Sequence, residues 1–197
     1  MGNWTALGSL DGGLANVTSR RSIALPGLGA TALGEQHVTF GSVRGQVAYT
    51  QPMGIIYVKP MLDVAATYTN LDGYHERGAG ALDLIVAGAD TWIYSATPAV
   101  EVGAQYRTVG GGLIRPYLRA GVSFLSDPTT VTSAAFEGAP GANPMQINGK
   151  ADKTYAEVGA GLVMFPRSGV SMKLNYDGRF SESTESHSGS AKVGINF

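Results

Sequence analysis

The chain has 197 residues, no cysteine and a formal net charge of -1. Disulfides and thiolate metal sites are excluded, and a balanced charge with no basic cluster leaves no electrostatic footprint for DNA or RNA, so no nucleic-acid partner is expected. Charged residues make up 15% of the sequence, below the roughly 25% of an ordinary globular domain, while glycine reaches 28 residues.

No run approaches the roughly 18 consecutive apolar residues of a spanning helix, so any crossing of a membrane core is made by strands. Residues 1–10 lack the basic n-region and long apolar core of a secretory signal. That suits either a cytosolic chain or a mature or shortened piece of a longer one.

The elements follow from period-2 alternation. A weak strand candidate at 8–20 is followed by a Gly/Ala/Pro-rich loop at 26–36 and a strand at 38–50. At 55–70 the set Ile56, Val58, Pro60, Leu62, Val64, Ala66 and Tyr68 is wholly apolar, whereas the alternate set carries Lys59 and Asp63. Successive strand side chains point to opposite faces, so this segment has one greasy face and one wet one.

A loop at 71–78 leads to a strand at 81–87, and 91–107 repeats the alternation, with Trp92, Tyr94, Val100 and Val102 set against Glu101, Gln105 and Arg107. Residues 113–125 set Leu118, Val122 and Phe124 against Arg115 and Arg119. After a weaker candidate at 130–136 and a long loop at 137–150 come strands at 152–165, 170–180 and 187–197. The intervening turns at 51–54, 88–90, 110–112 and 166–169 are short, which makes their flanking strands antiparallel.

The pattern predicts about ten strands, no helix and no linker: one all-β domain over 1–197. Pro60, Pro98 and Pro116 lie inside proposed strands, where each removes a ladder hydrogen bond.

Alternation alone fits a soluble sandwich with the apolar set inside or a membrane barrel with the apolar set outside. Three features favour the barrel. The apolar faces run uninterrupted for close to the roughly 9 to 11 residues of a tilted transmembrane strand. Tyr68, Trp92, Tyr94, Tyr106 and Phe124 gather near strand ends, where aromatic girdles sit. The wet faces mix small residues with both charge signs, as a crowded interior would. The apolar set Ile56, Val58, Leu62, Val64, Val100, Val102, Leu118 and Val122 is then expected outward.

Several motifs carry a resemblance: Asp72-Gly73-Tyr74, Gly78-Ala79-Gly80-Ala81-Leu82, Arg115-Pro116-Tyr117, Ala134-Ala135-Phe136-Glu137-Gly138-Ala139-Pro140-Gly141, Tyr176-Asp177-Gly178-Arg179-Phe180-Ser181 and Val193-Gly194-Ile195-Asn196-Phe197. Together, in this order, they resemble the translocator (β) domain of autotransporters.

The resemblance implies an antiparallel up-and-down transmembrane β-barrel of about twelve strands in the bacterial outer membrane. A helix runs through its pore, and an N-terminal passenger is anchored or exported in type V secretion. Implied partners are outer-membrane lipid, the barrel-assembly machinery and the passenger, with the barrel a monomer. Counted back from Phe197, the strands match the last ten. The passenger, pore helix and first two strands are thus expected to be missing, the fragment alone is not expected to be competent, and a seam between 8–20 and the last strand is expected to be open or strained.

The residues expected to line the interior are Arg44, Lys59, Asp63, Asp83, Glu101, Arg107, Arg115, Arg119, Glu157, Lys173, Asp177 and Arg179, as a lattice of compensated charges. Ala191, Val193, Ile195 and Phe197, the apolar face of the final strand, resemble the C-terminal assembly signal of outer-membrane barrels. No cofactor and no metal are expected, because His37, His75 and His187 lack close pairing. The Gly27-Leu28-Gly29-Ala30-Thr31-Ala32 run lacks the strand and helix context of a dinucleotide site. The chain is expected not to be an enzyme. The rivals are a barrel hydrolase, built on His75 or His187 with a serine, and a soluble β-sandwich binding module.

Overall fold

The computed structural model describes residues 3–165 and 170–195. The strands are β1 (Trp4–Leu25), β2 (Leu28–Tyr49), β3 (Gln51–Met53), β4 (Ile56–Leu71), β5 (Tyr74–His75), β6 (Leu84–Val86), β7 (Ala89–Ala104), β8 (Tyr106–Arg107), β9 (Leu113–Leu125), β10 (Thr129–Phe136), β11 (Met145–Lys150), β12 (Thr154–Phe165), β13 (Val170–Phe180) and β14 (Glu185–Ile195). Among the described residues a 3-10 turn spans Gly80–Leu82.

The main sheet is antiparallel, in the order β1-β2-β4-β7-β9-β12-β13-β14, with β3 extending the ladder on β4 and β8 that on β9. It curls into a half-barrel. Among the described residues β1 pairs only with β2 and β14 only with β13, so the seam expected between the first and last strands is open there. A second sheet, in the order β11-β10-β6-β5, is built wholly from the two longest connections.

Register carries the alternation across the whole main sheet. Leu62 faces Val47 and Pro98, Val102 faces Leu118, Leu118 faces Ala160, and Leu174 faces Leu162 and Ala191. One apolar surface results. A slip of one residue in any ladder would turn that strand inside out.

Burial decides which face is the outside. Leu10 is 80% exposed, Leu14 82%, Leu118 67% and Val43 58%, and Ile56, Leu62, Val64, Val100, Val102 and Val122 are exposed as well. No large side chain is fully buried in the described residues, and most of the well-covered groups, Ala48, Tyr57, Met61, Thr97, Ser123 and Tyr155, belong to the wet set on the concave side. A soluble sandwich would bury the opposite set. That rival is overturned, since an unbroken apolar face of this extent is unsuited to water.

The structure departs from the sequence reading at several connections; the expected turn at 51–54 and loop at 71–78 hold the short strands β3 and β5. Residues 26–36 are not a loop: Pro26-Gly27 turns the chain in two residues, with Gly27 at φ 80, and the ladder runs from Trp4↔Tyr49 to Leu25↔Leu28. Pro followed by a positive-φ Gly is the signature of a type II turn. Residues 81–87 hold the 3-10 turn and only three strand residues, too short to cross anything, and belong with β10 to the second sheet. Within the supposed loop at 137–150 lies β11.

The prolines leave the marks expected of missing donors. The β7–β9 ladder lapses between Ala96↔Phe124 and Ala99↔Gly121, at Thr97 and Pro98. Pro60 sits where pairing on its other side passes from β2 to β3. The turn at 166–169 and residue Phe197 lie outside the described residues.

Candidate functional site

The wet residues meet on the concave face in rows that cross the strands. One row runs Lys59, Glu101, Arg119, Gly159, Asp177, Ser188, alternating in sign along its charged members. Arg119 Nη2 lies 2.7 Å from Asp177 Oδ1. The adjacent row holds Glu157 opposite Arg179, whose Nε is 3.8 Å from the carboxylate and whose guanidinium lies 3.8 Å from the Tyr155 ring centroid. Arg44 Nε donates to Asp63 Oδ1 at 2.6 Å, and Gln46 Nε2 donates to Asp63 Oδ2 at 3.3 Å.

Arg44, Asp63, Arg119, Glu157, Lys173, Asp177 and Arg179 share one concavity of about 520 Å³. Lys59, Glu101 and Arg115 lie on the same face toward the short turns, and Arg107 stands at that end on β8. Asp83 is set apart: it is 5% exposed, follows the 3-10 turn at the opposite end, and accepts a hydrogen bond from the Ala79 amide at 2.9 Å. Its segment is part of the second sheet, so it joins no row of the concave face.

The lining residues expected from the sequence leave out the aromatic part of this surface, although Tyr57 and Tyr117 fall on the wet sets. Tyr57, Gly103, Tyr117, Gly161, Asn175 and Ser190 form a further row. Each tyrosine ring lies over the glycine of the next strand, where a Cβ would collide with it. The Tyr57 hydroxyl donates to Glu101 at 2.8 Å and the Tyr117 hydroxyl to Asn175 Oδ1 at 2.8 Å. A tyrosine on a wet set opposite a glycine on its neighbour is the signal that would have found them. Thr97 and Ser123, 2.8 Å apart, and Lys192 lie on the same wet sets and also join this face, beyond the expected lining residues.

At the end with long connections, Arg21 clamps the β1–β2 hairpin to the second sheet. Its guanidinium pairs with Glu76 and donates to the Leu82 carbonyl at 2.7 Å, and the Leu84 amide donates to Glu76 at 3.0 Å. Glu76 is 5% exposed, yet the Arg21 bond holds its carboxyl below the usual range, outweighing burial. Leu33 and Arg77 bridge the same two elements.

The outer face carries aromatics at two levels. Tyr68, Trp92 and Tyr94 cluster toward the long connections, with ring centroids 5.0 and 6.2 Å apart, while Trp4 and Tyr49 pair at 5.0 Å toward the short turns. His37 bonds Asn16, and His187 bonds Tyr176 and Glu185; among the described residues no serine hydrogen-bonds to a histidine side chain. Among the described residues no cluster of ligating side chains could hold a metal ion. Of the proposed assembly signal, Ala191 and Val193 are exposed on the outer face of β14, and Ile195 is its last residue.

No curated protein matches the chain. A family model described as the autotransporter beta-domain matches residues 1–177, on a chain whose curled antiparallel sheet is greasy outside and charged within. The chain therefore belongs to the autotransporter β-domain family, the outer-membrane translocators of type V secretion.

Proposed function

We propose that this chain forms the wall of a conduit in the bacterial outer membrane, with its apolar face against lipid and its concave charged face lining the path of an N-terminal passenger. The observation that carries this reading is inverted burial: large aliphatic side chains are exposed on the outside while tyrosines, threonine and serine are covered on the inside. The aromatic levels agree with it. From Pro60, opposite the Tyr49 level, to Tyr68 is a strand length of roughly 27 Å, about 20 Å of height at the roughly 35–45° tilt of such strands, somewhat short of their roughly 25 Å apolar band.

The short turns then face the periplasm and the second sheet faces outward from the cell. The partners are lipid, the passenger and the assembly machinery. The last reads the alternating face of Ala191, Val193, Ile195 and Phe197 by strand addition.

Substitution at one depth on the two faces tests the reading. Val64→Arg on the outer face should lower stability by about 2 to 4 kcal/mol in lipid, whereas Gln46→Arg, beside Asp63 on the concave face, should cost little. Equal losses in a refolding titration would reject the assignment.

A further inference from the structure

The interior charges are unevenly distributed along the axis of the sheet, and the mouth at the short turns is cationic. The row next to the tyrosine–glycine row runs Arg115, Val163, Lys173, Lys192 on β9, β12, β13 and β14. Lys173 and Lys192 stand directly opposite each other in the ladder, a pairing that costs stability when nothing compensates it.

No described carboxylate joins that row, and none lies on the short-turn side of Glu101. The nearest acids already have partners: Asp177 holds Arg119, and Glu101 accepts from Tyr57. Arg115 stacks over Tyr57 at 5.5 Å, and its Nε is buried without a hydrogen-bond partner. Lys173 and Lys192 form no ion pair among the described residues.

We infer that this row is a docking site for an acidic, extended polypeptide segment at the mouth of the conduit. Charge complementarity names the ligand, and spacing selects a peptide over a single small anion. Three strand intervals separate Arg115 from Lys192, roughly 14 Å, too wide for one phosphate to span. Alternate carboxylates on one side of an extended chain recur at roughly 6.6 Å and can meet the three cations together. The inference deepens the conduit reading and rests on its assignment of the concave face as interior.

The test uses the full chain refolded in zwitterionic detergent, with heat-modifiable migration confirming the fold of every variant. Fluorescein-labelled octa-aspartate should bind in an anisotropy titration, and salt should weaken the binding. Lys173→Gln with Lys192→Gln should weaken it by about tenfold. Lys150→Gln with Lys153→Gln, at the other end, should leave it unchanged.

Equal binding of labelled octa-lysine, or unaltered octa-aspartate binding in the Lys173/Lys192 double variant, would overturn the proposal. So would inorganic phosphate displacing the peptide at matched charge concentration, since the occupant would then be a free anion. Binding in micelles needs no export, so failure here leaves the lipid-facing assignment intact, and failure of the Val64→Arg test leaves this measurement standing.

Discussion

Arg119 and Asp177 form an ion pair of 2.7 Å although a whole strand, β12, lies between their own. The intervening residue of their row is Gly159, and a Cβ placed there would lie 3.3 Å from both Arg119 Nε and Asp177 Oδ1. The glycine is a gap through which two side chains meet. Both partners are partly exposed, so a double-mutant cycle on Arg119→Gln and Asp177→Asn should give a coupling of about 0.2 to 1 kcal/mol that shrinks with salt. In a Gly159→Val background the same cycle should give none, while Gly159→Ala should preserve most of it.

The tyrosine–glycine contacts predict larger effects. A Cβ on Gly103 would sit 2.5 Å from Tyr57 ring atoms, and one on Gly161 would collide equally with Tyr117. A ring cannot bend aside as a guanidinium can. Gly103→Ala and Gly161→Ala should each lower stability by about 1 to 3 kcal/mol, as read by urea titration of the detergent-refolded protein. Pairing Gly161→Ala with Tyr117→Leu should cost less than the two separate losses combined. Strict additivity would show that the ring and the glycine do not interact.

Acid should loosen the clamp at the long-connection end before the main sheet. Arg21 holds the Glu76 carboxyl below its unfolded value, so the native state binds its proton less readily than the unfolded one. The stabilisation is fully present above the ordinary glutamate range and is lost as pH falls through the lowered value. Hydrogen exchange at the Leu84 amide, which donates to Glu76, should accelerate over that acidic window while amides of β9 stay protected. Arg21→Gln should move the acceleration to higher pH.

The parts legible in the sequence were those where one physical pressure acts on every second residue. In β4, β7 and β9 the outer positions meet a single environment, so Val64, Val100 and Leu118 announce their face without reference to any partner. The upper half of the β1–β2 hairpin was misread because composition spoke louder than period. Leu25-Pro26-Gly27-Leu28-Gly29-Ala30 has no polar residue to alternate with an apolar one, so its strand character rests on pairing alone.

The charged residues of the concave face are conspicuous in the sequence because they stand out on a wet set. Their neighbours Gly103, Gly159 and Gly161 are not, since the role of a glycine here is defined by the side chain on the next strand. Asp83 shows the reverse: alternation over 81–87 fits a wall strand, yet its carboxylate accepts from the Ala79 amide, its amide donates to the Gly80 carbonyl, and its carbonyl accepts from the Glu137 amide, fixing it at the end of the second sheet.

The strands of the first hairpin each run 22 residues, about twice the roughly 9 to 11 needed to cross a bilayer. On the proposed placement in the membrane, one continuous ladder passes through two solvents. There its lower rungs, from Trp4↔Tyr49 upward, face hydrocarbon on their outer side and meet few competitors for their hydrogen bonds, whereas the rungs near Leu25↔Leu28 stand in water on both sides. Such a hairpin is a graded spring: stiff and silent at its root, and progressively softer toward a tip that is steadied from the side by Arg21 and Leu33. In the proposed orientation, a force applied at the tip would be felt first as unzipping there, leaving the lower rungs undisturbed until the lateral ties gave way.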